Sequence, residues 1–410
     1  MIAKRPRPPA AKTKPAVLEA YRLGAMQPSR VLEPRDADEM ALLLRKADEA
    51  GAAVVVYGGG TLQRAANAPS RYDVAISTRR LDALHDYDPR DLTAGIGAGM
   101  TVAALQRALA QHEQFLPLDA PLAMRATVGG TLAAGWAGPR RAAYGRPRDL
   151  LIGVTVALAN GTLASSGGMV VKNVTGYDMG KLYAGSHGTL GAIVRANFKI
   201  LPAPPVRRLA IAPFDNELRD RAVAHALSLA LEPVALLVVD GFREAPPPAR
   251  PRIIALLEGS DAVVERATRD LRSALGAAGV AETRLLDGDD AARAFQSLLD
   301  AYVAADGDDS ATLLARGLPS EAASRAHRVR GAVPRAETIA DLRTGDVVVR
   351  ARDGAAVREA LGHAVLLSAG PATALDAWGA PPATLATMRA LKERFDPRGT
   401  LAPGRFLGGI

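Results

Sequence analysis

Three clusters of small residues stand where this chain could hold an anion. Gly58-Gly59-Gly60-Thr61 follows directly on the apolar run Ala52–Tyr57. Thr127-Val128-Gly129-Gly130-Thr131 opens a small-residue stretch that reaches Gly135, and a polar, glycine-punctuated stretch extends from Gly167 to Gly191. A pyrophosphate needs backbone N–H donors brought close, and side chains block that approach. Consecutive small residues in a turn make the required concavity, and a helix start adds its dipole. One such cluster is more often a tight turn. Three in one module, each after a strand or at a helix start, point to a phosphate-bearing ligand.

Spacing excludes two familiar anion loops. The pattern G-x-G-x-x-G needs a glycine at the sixth position, but counting from Gly58 reaches Gln63 and from Gly95 reaches Met100. A P-loop needs four residues between its glycines and Ser or Thr after its lysine. Gly176 and Gly180 have three between them, and Leu182 follows Lys181.

The elements that must position these loops are readable around them. Asp36 is an N-cap with Glu39 three residues on, a capping box, and Met40, Leu43, Leu44 and Ala47 recur at helical spacing until Gly51. The spacing predicts strands over Ala52–Tyr57, Asp73–Ser77, Ala83–Tyr87 and Asp91–Ile96, then a helix over Val102–His112 capped by Thr101. Asp149–Ala159 and Thr162–Ser165 read as strands joined at the Asn160-Gly161 turn, and Ala192–Ile200 alternates as a strand. Beyond Arg207 glycine thins. Strands are expected at Leu209–Ala212, Val234–Val239, Arg252–Leu257 and Thr312–Leu318, with helices at Glu217–Leu231, Ala262–Leu275 and Ser320–Gly331, and a proline-rich loop at Glu244–Pro248. This predicts an α+β chain: a basic, disordered tail over 1–15, a two-lobed α/β cofactor domain over 16–206, an α/β, ferredoxin-like cap over 207–385, and a C-terminal return to the first domain over 386–410.

Composition removes several function classes. No cysteine is present, so no disulfide, Cys-ligated zinc or iron–sulfur cluster forms within this chain, and no thioether can hold a flavin. The formal net charge of +8 invites a nucleic-acid reading, but aromatics are only 4% and do not interleave with the arginines, so no nucleic-acid partner is expected. No apolar run is long enough to span a bilayer, so no integral membrane segment is expected and a cytoplasmic location is the default.

The third stretch is the most specific: Gly167-Gly168-Met169-Val170-Val171-Lys172-Asn173-Val174-Thr175-Gly176-Tyr177-Asp178-Met179, then Gly185-Ser186-His187-Gly188-Thr189-Leu190-Gly191. With the first glycine loop, the Thr127–Gly130 loop and the Pro397–Arg405 tail, it resembles the FAD-binding module of the vanillyl-alcohol oxidase and p-cresol methylhydroxylase superfamily. Within it, the stretch Lys172–Asp178 and Gly138-Pro139-Arg140-Arg141 most resemble the shorter FAD-binding subunits of bacterial glycolate oxidases. The resemblance implies non-covalent FAD between two lobes. It implies that Gly58, Gly59, Gly60 and Thr61 hold the pyrophosphate, and that Thr127, Gly129 and Gly130 pack against the phosphates and the isoalloxazine. Ile193 would offer backbone hydrogen bonds, and Lys172, Asn173, Tyr177 and Asp178 would shape the wall of the flavin site. It further implies a small 2-hydroxy acid such as glycolate as substrate, a larger catalytic flavoprotein and an iron–sulfur protein as partners, and contact with the inner membrane only through those partners.

Departures from the pattern matter. His187 stands where related dehydrogenases often carry Glu, no two of the six histidines are close in sequence, and no Gly-Gly-His follows the first loop for covalent attachment. An accessory, electron-passing role is therefore open beside a catalytic one, as is a stand-alone oxidase of sugars or lactones. No catalytic base is assigned. Arg140 and Arg141 are weighed as a carboxylate clamp against surface arginines. Lys172 is weighed as a cation near reduced flavin, Tyr144 and Tyr177 as substrate-orienting hydroxyls, and His187 as a general base against a loop residue touching the adenine half.

Overall fold

The computed structural model describes residues 14–169, 176–213, 232–242, 251–280, 282–304, 309–370 and 373–410. The basic tail up to residue 13, the expected helix Glu217–Leu231 and the proline-rich loop Glu244–Pro248 lie outside the described residues.

The first lobe is a parallel three-stranded sheet. Strands β1 (Arg30–Leu32), β2 (Val54–Tyr57) and β3 (Val74–Ser77) lie in the order β1-β3-β2, and helix α1 (Ala37–Glu49) joins the first two. Asp36 caps α1, its Oδ1 accepting from the Glu39 amide at 2.8 Å. The expected reciprocal bond is displaced by one residue: Glu39 accepts from the Arg35 amide, not from that of Asp36. Met40, Leu44 and Ala47 bury the inner stripe of α1 against Val54, Ile76 and Leu401.

The second lobe is an antiparallel sheet of β4 (Leu84–Asp88), β5 (Thr93–Gly97), β6 (Leu151–Ala157), β7 (Leu163–Gly167) and β8 (Ala192–Lys199), in the order β4-β5-β8-β6-β7. The turn between β6 and β7 has Gly161 at φ +80°, as the Asn160-Gly161 pair predicts. Helix α2 (Val102–Ala110) is capped by Thr101, which accepts from the Ala104 amide, and lays Val102, Leu105 and Leu109 on this sheet. The short helix α3 (Val128–Ala133) opens at Thr127.

The cap is one antiparallel sheet of eight strands: β9 (Val206–Pro213), β10 (Ala235–Asp240), β11 (Arg252–Gly259), β12 (Arg284–Asp287), β13 (Ala311–Ala315), β14 (Glu337–Asp341), β15 (Val347–Ala351) and β16 (Val365–Ala369). Their order, β12-β9-β11-β10-β14-β15-β13-β16, resolves into two halves. In each half the fourth strand lies beside the first, the first beside the third and the third beside the second. The second half runs β13, α6 (Ala322–Ala332), β14, β15, α7 (Gly354–Leu361), β16, which is a βαββαβ unit of ferredoxin-like connectivity. The first half repeats that strand order with α4 (Asp261–Ala277) before its fourth strand. The ferredoxin-like strand order thus occurs twice among the described residues, the two halves joined edge to edge through β10 and β14.

Helices α4, α6 and α7 cover one face of this sheet. Helix α5 (Gly288–Ala301) covers the other and faces the second lobe. There Asp300 accepts from the Leu122 amide at 2.6 Å and Gln296 donates to the Ala120 carbonyl at 3.1 Å.

The chain then returns through α8 (Leu385–Phe395) to the first lobe. The amide of Val54 donates to the Thr400 carbonyl at 2.7 Å, and that of Ala402 to the Val54 carbonyl at 2.8 Å, so Leu401 pairs in parallel with β2. A buried ion pair fixes this return. Asp396 accepts from the amides of Thr400 (2.9 Å) and Leu401 (2.7 Å) and from Lys392 Nζ (2.5 Å). Lys392 also donates to the carbonyls of Thr189 and Leu401. Burial pulls the Lys392 ammonium below its usual range although Asp396 opposes the shift. Removing one member of such a pair leaves a desolvated charge. Asp396→Ala is expected to lower the unfolding free energy by about 3–5 kcal/mol in urea denaturation; a loss under about 1 kcal/mol, the range of an exposed pair, would show that the pair does not anchor the return.

Candidate functional site

All three glycine clusters contribute to one cleft of about 680 Å³, counted to its open mouth. Strand β2 delivers the first loop. Gly58, Gly59, Gly60 and Thr61 line the cleft, Gly60 at φ +74°. None of the amides of Gly58, Gly59, Gly60 and Thr61 donates a hydrogen bond among the described residues. Four successive open N–H donors in one turn form an anion cradle.

The second loop crosses the first with backbone almost touching backbone. A β-carbon on Gly58 would fall 2.0 Å from Thr127 Oγ1, and one on Gly59 would fall 1.8 Å from the Arg125 carbonyl oxygen. Thr127 caps α3, its Oγ1 accepting from the Gly130 amide at 3.2 Å. Gly129 donates to the Ala98 carbonyl at 2.9 Å, and its missing side chain admits the Ala98 methyl. Thr127, Gly129 and Gly130 all line the cleft, as does Ile193 at the start of β8.

The third stretch divides. Its later part reaches the cleft: Gly185 donates to the Leu132 carbonyl, His187 to that of Ala133, and His187, Gly188 and Gly191 form wall. Its earlier part does not. Tyr177 is 89% exposed, and Asp178 pairs with Lys181 at 3.1 Å on the surface. Neither lines the cleft; Ser166 of β7 donates to the Tyr177 carbonyl and holds that residue at the surface. Lys172 and Asn173 lie outside the described residues.

Arg405, placed in the structural tail by sequence reasoning, also lines the cleft. Its Nη2 donates to the carbonyl and Oε1 of Gln63 at 2.8 and 2.7 Å. Gln63, Thr78, Ala98, Ala133 and Ala134 complete the wall beside it. Periodicity offers no signal for Arg405, since its partners come from the far end of the chain. His187 is packed edge-on to Trp378 at 4.9 Å. Desolvation and the nearby Arg405 guanidinium pull its pKa down to about 3, so it stays neutral near pH 7 and is a poor general base.

The weighed carboxylate clamp is occupied by the protein itself. Arg140 is buried, with Nε donating to Asp119 at 2.6 Å and Nη1 3.5 Å from Glu258. Tyr144 donates to Glu258 at 2.7 Å, and Arg207 pairs with the same carboxylate. Arg141 pairs with Asp346 at 2.8 Å. Arg141 and Asp346 border a smaller cavity between the 136–141 loop and the cap sheet, with Trp136, Tyr302 and Asp341. Asp346 Oδ1 is buried without a hydrogen-bond partner among the described residues, and burial raises Asp341 to about 6.

Residues 28–167 match the family described as FAD binding domain, and residues 378–406 match the C-terminal domain of FAD linked oxidases. The chain is 28% identical over 253 residues to glycolate oxidase subunit GlcD of Bacillus subtilis, covering 60% of this chain and 54% of that protein. It is 38% identical over 120 residues to glycolate oxidase subunit GlcE of Escherichia coli, covering 29% of this chain and 34% of that one. The chain thus spans about half the length of the first of these relatives and a third of the second. Its fold is similar to that of p-cresol methylhydroxylase, with a TM-score of 0.74 at 16% identity over 96% of this chain and 93% of that one. The open amides, the side-chain-free cradle and a buried guanidinium all suit a dinucleotide. Residues 28–167 accordingly form an FAD-binding domain with FAD as its cofactor, in a chain whose fold is similar to that of p-cresol methylhydroxylase.

Proposed function

We propose that this chain is the FAD-binding subunit of a glycolate oxidase (glycolate dehydrogenase) complex that oxidises small 2-hydroxy acids to 2-oxo acids. Its partners are a larger catalytic flavoprotein and an iron–sulfur protein. The row of open amides from Gly58 to Thr61 carries the FAD side of this reading. Similarity to two glycolate oxidase subunits supports the complex and the substrate class. When bound, FAD supplies a two-electron acceptor for the hydride on the α-carbon of the hydroxy acid. The chain's own groups hold it: Gly58–Thr61 take the pyrophosphate, the Thr127 turn closes over it, and His187, kept neutral, gives a flat wall.

The accessory form of this function has an observation in its favour. A hydroxy-acid carboxylate needs a free cation, and Arg140 and Arg141 are both neutralised by Asp119, Glu258 and Asp346. The chain then binds FAD and relays electrons, while the catalytic partner carries the hydroxy acid.

The test is an absorption spectrum of the purified protein before and after glycolate is added without oxygen. The expected protein shows flavin bands that glycolate alone leaves oxidised and that bleach in the co-expressed complex. Bleaching in the isolated chain would make it catalytic by itself, and turnover of a sugar or lactone in air would replace the glycolate reading. Gly59→Val places side-chain atoms on the Arg125 carbonyl. It is expected to lower bound flavin per protein about tenfold or more at unchanged circular dichroism, a loss of about 1.4 kcal/mol or more. Tyr177→Ala, outside the cleft, is expected to leave flavin content unchanged.

A further inference from the structure

Arg405 is 2% exposed, and its buried Nη1 has no hydrogen-bond partner among the described residues. Its Nη2 bonds are both to neutral oxygens of Gln63. No carboxylate pairs with it among the described residues, and the groups that favour its charge are the hydroxyls of Tyr57 and Tyr72. Burial pulls this guanidinium down to about 10, below its usual range. Lys392, Arg140 and Arg141 are buried with counter-ions, namely Asp396, Asp119 with Glu258, and Asp346, whereas Arg325 is buried on the carbonyls of Arg316 and Leu361. Arg405 differs from them in lining the cofactor cleft, next to Gln63 just beyond the first glycine loop.

A desolvated cation is costly unless an anion accompanies it. This one is buried whatever the redox state, so its counter-charge must also be permanent. An isoalloxazine becomes anionic only on reduction, whereas a pyrophosphate is anionic throughout. We infer that Arg405 is the counter-charge of the FAD pyrophosphate, completing from the C-terminal return a site whose neutral donors come from Gly58–Thr61. The inference rests on the FAD reading above. It makes Arg405 a cofactor-binding residue and gives the 396–405 segment a part in binding as well as in packing.

Two properties of Arg405→Met test this. The first is affinity of the apoprotein for FAD, for ADP, which keeps the pyrophosphate, and for riboflavin, which lacks it. FAD and ADP are expected to bind at least tenfold more weakly to the variant and riboflavin equally well, with Arg405→Lys between the two for FAD and ADP. The second is thermal stability. The variant apoprotein is expected to melt no lower than wild type, because an unpaired buried charge has gone, while its stabilisation by FAD shrinks. Unchanged ADP affinity would overturn the inference, as would equal losses for riboflavin. A shift of the flavin potential without loss of ADP binding would assign Arg405 to the reduced flavin and also overturn it. A lower-melting variant apoprotein would make the residue structural and overturn it too. Wild-type protein that binds no FAD would remove the FAD reading itself, an outcome distinct from a wild type that binds FAD beside an unaffected variant.

Discussion

Two backbone segments of this protein run too close together for a side chain to lie between them. Gly58 and Gly59 face the Arg125–Thr127 turn, and Gly129 faces Ala98, at separations that a β-carbon would violate. Much else in the cofactor domain serves that approach. Strand β2 aims the first loop, Thr127 both caps α3 and supplies the surface on which Gly58 lies, and Gly135 against Gly185 repeats the same solution on the far side. Because these contacts lie along the backbone, they leave amide donors facing the cleft with nothing of the protein's own to bond. An open row of donors follows from a packing constraint.

The cap obeys a different rule. It is built from two similar halves of ferredoxin-like strand order sharing one sheet, with α4, α6 and α7 on one face and α5 on the other among the described residues. Polar contacts tie it to the cofactor domain: Glu258 collects Arg140 and Tyr144, and Asp346 holds Arg141. Those contacts consume the two arginines that looked most suited to a substrate carboxylate. A cap that uses its charges for docking has fewer for recognition, in keeping with a protein whose chemistry is shared with a partner.

Glycine was the most legible signal in the sequence because what it lacks is diagnostic. The first two clusters lie at the cleft where residue type and flanking strands put them. The Asp36 and Thr101 caps are equally plain, since a short acceptor before an apolar stripe has few other uses. The third stretch misleads by contiguity. Its glycines read as one loop, yet Tyr177 and Asp178 belong to a surface turn and Gly185–Gly191 to the cleft. In the second half of the cap the strand at Ala311–Ala315 and the helix after it were expected, but the later strands escaped; Val347–Ala351, buried at every residue, has no alternation to detect. Asp396–Arg405 could be read as lining the flavin or, as favoured, as a structural return, because the environment of Arg405 is made from the opposite end of the chain.

The pairing of Leu401 with β2 has a consequence for how the protein is made. The cleft joins Gln63 to a guanidinium 342 residues further along, and the strand leading into the glycine loop is flanked by that same distant segment. During translation the glycine loop emerges early but stands beside an unfilled sheet edge until Leu401 has cleared the ribosome. The cleft wall is therefore complete only once that segment has docked, however soon the first lobe collapses. The interval before it leaves the β2 edge open to solvent or to a chaperone, and a product truncated before Leu401 would never close it.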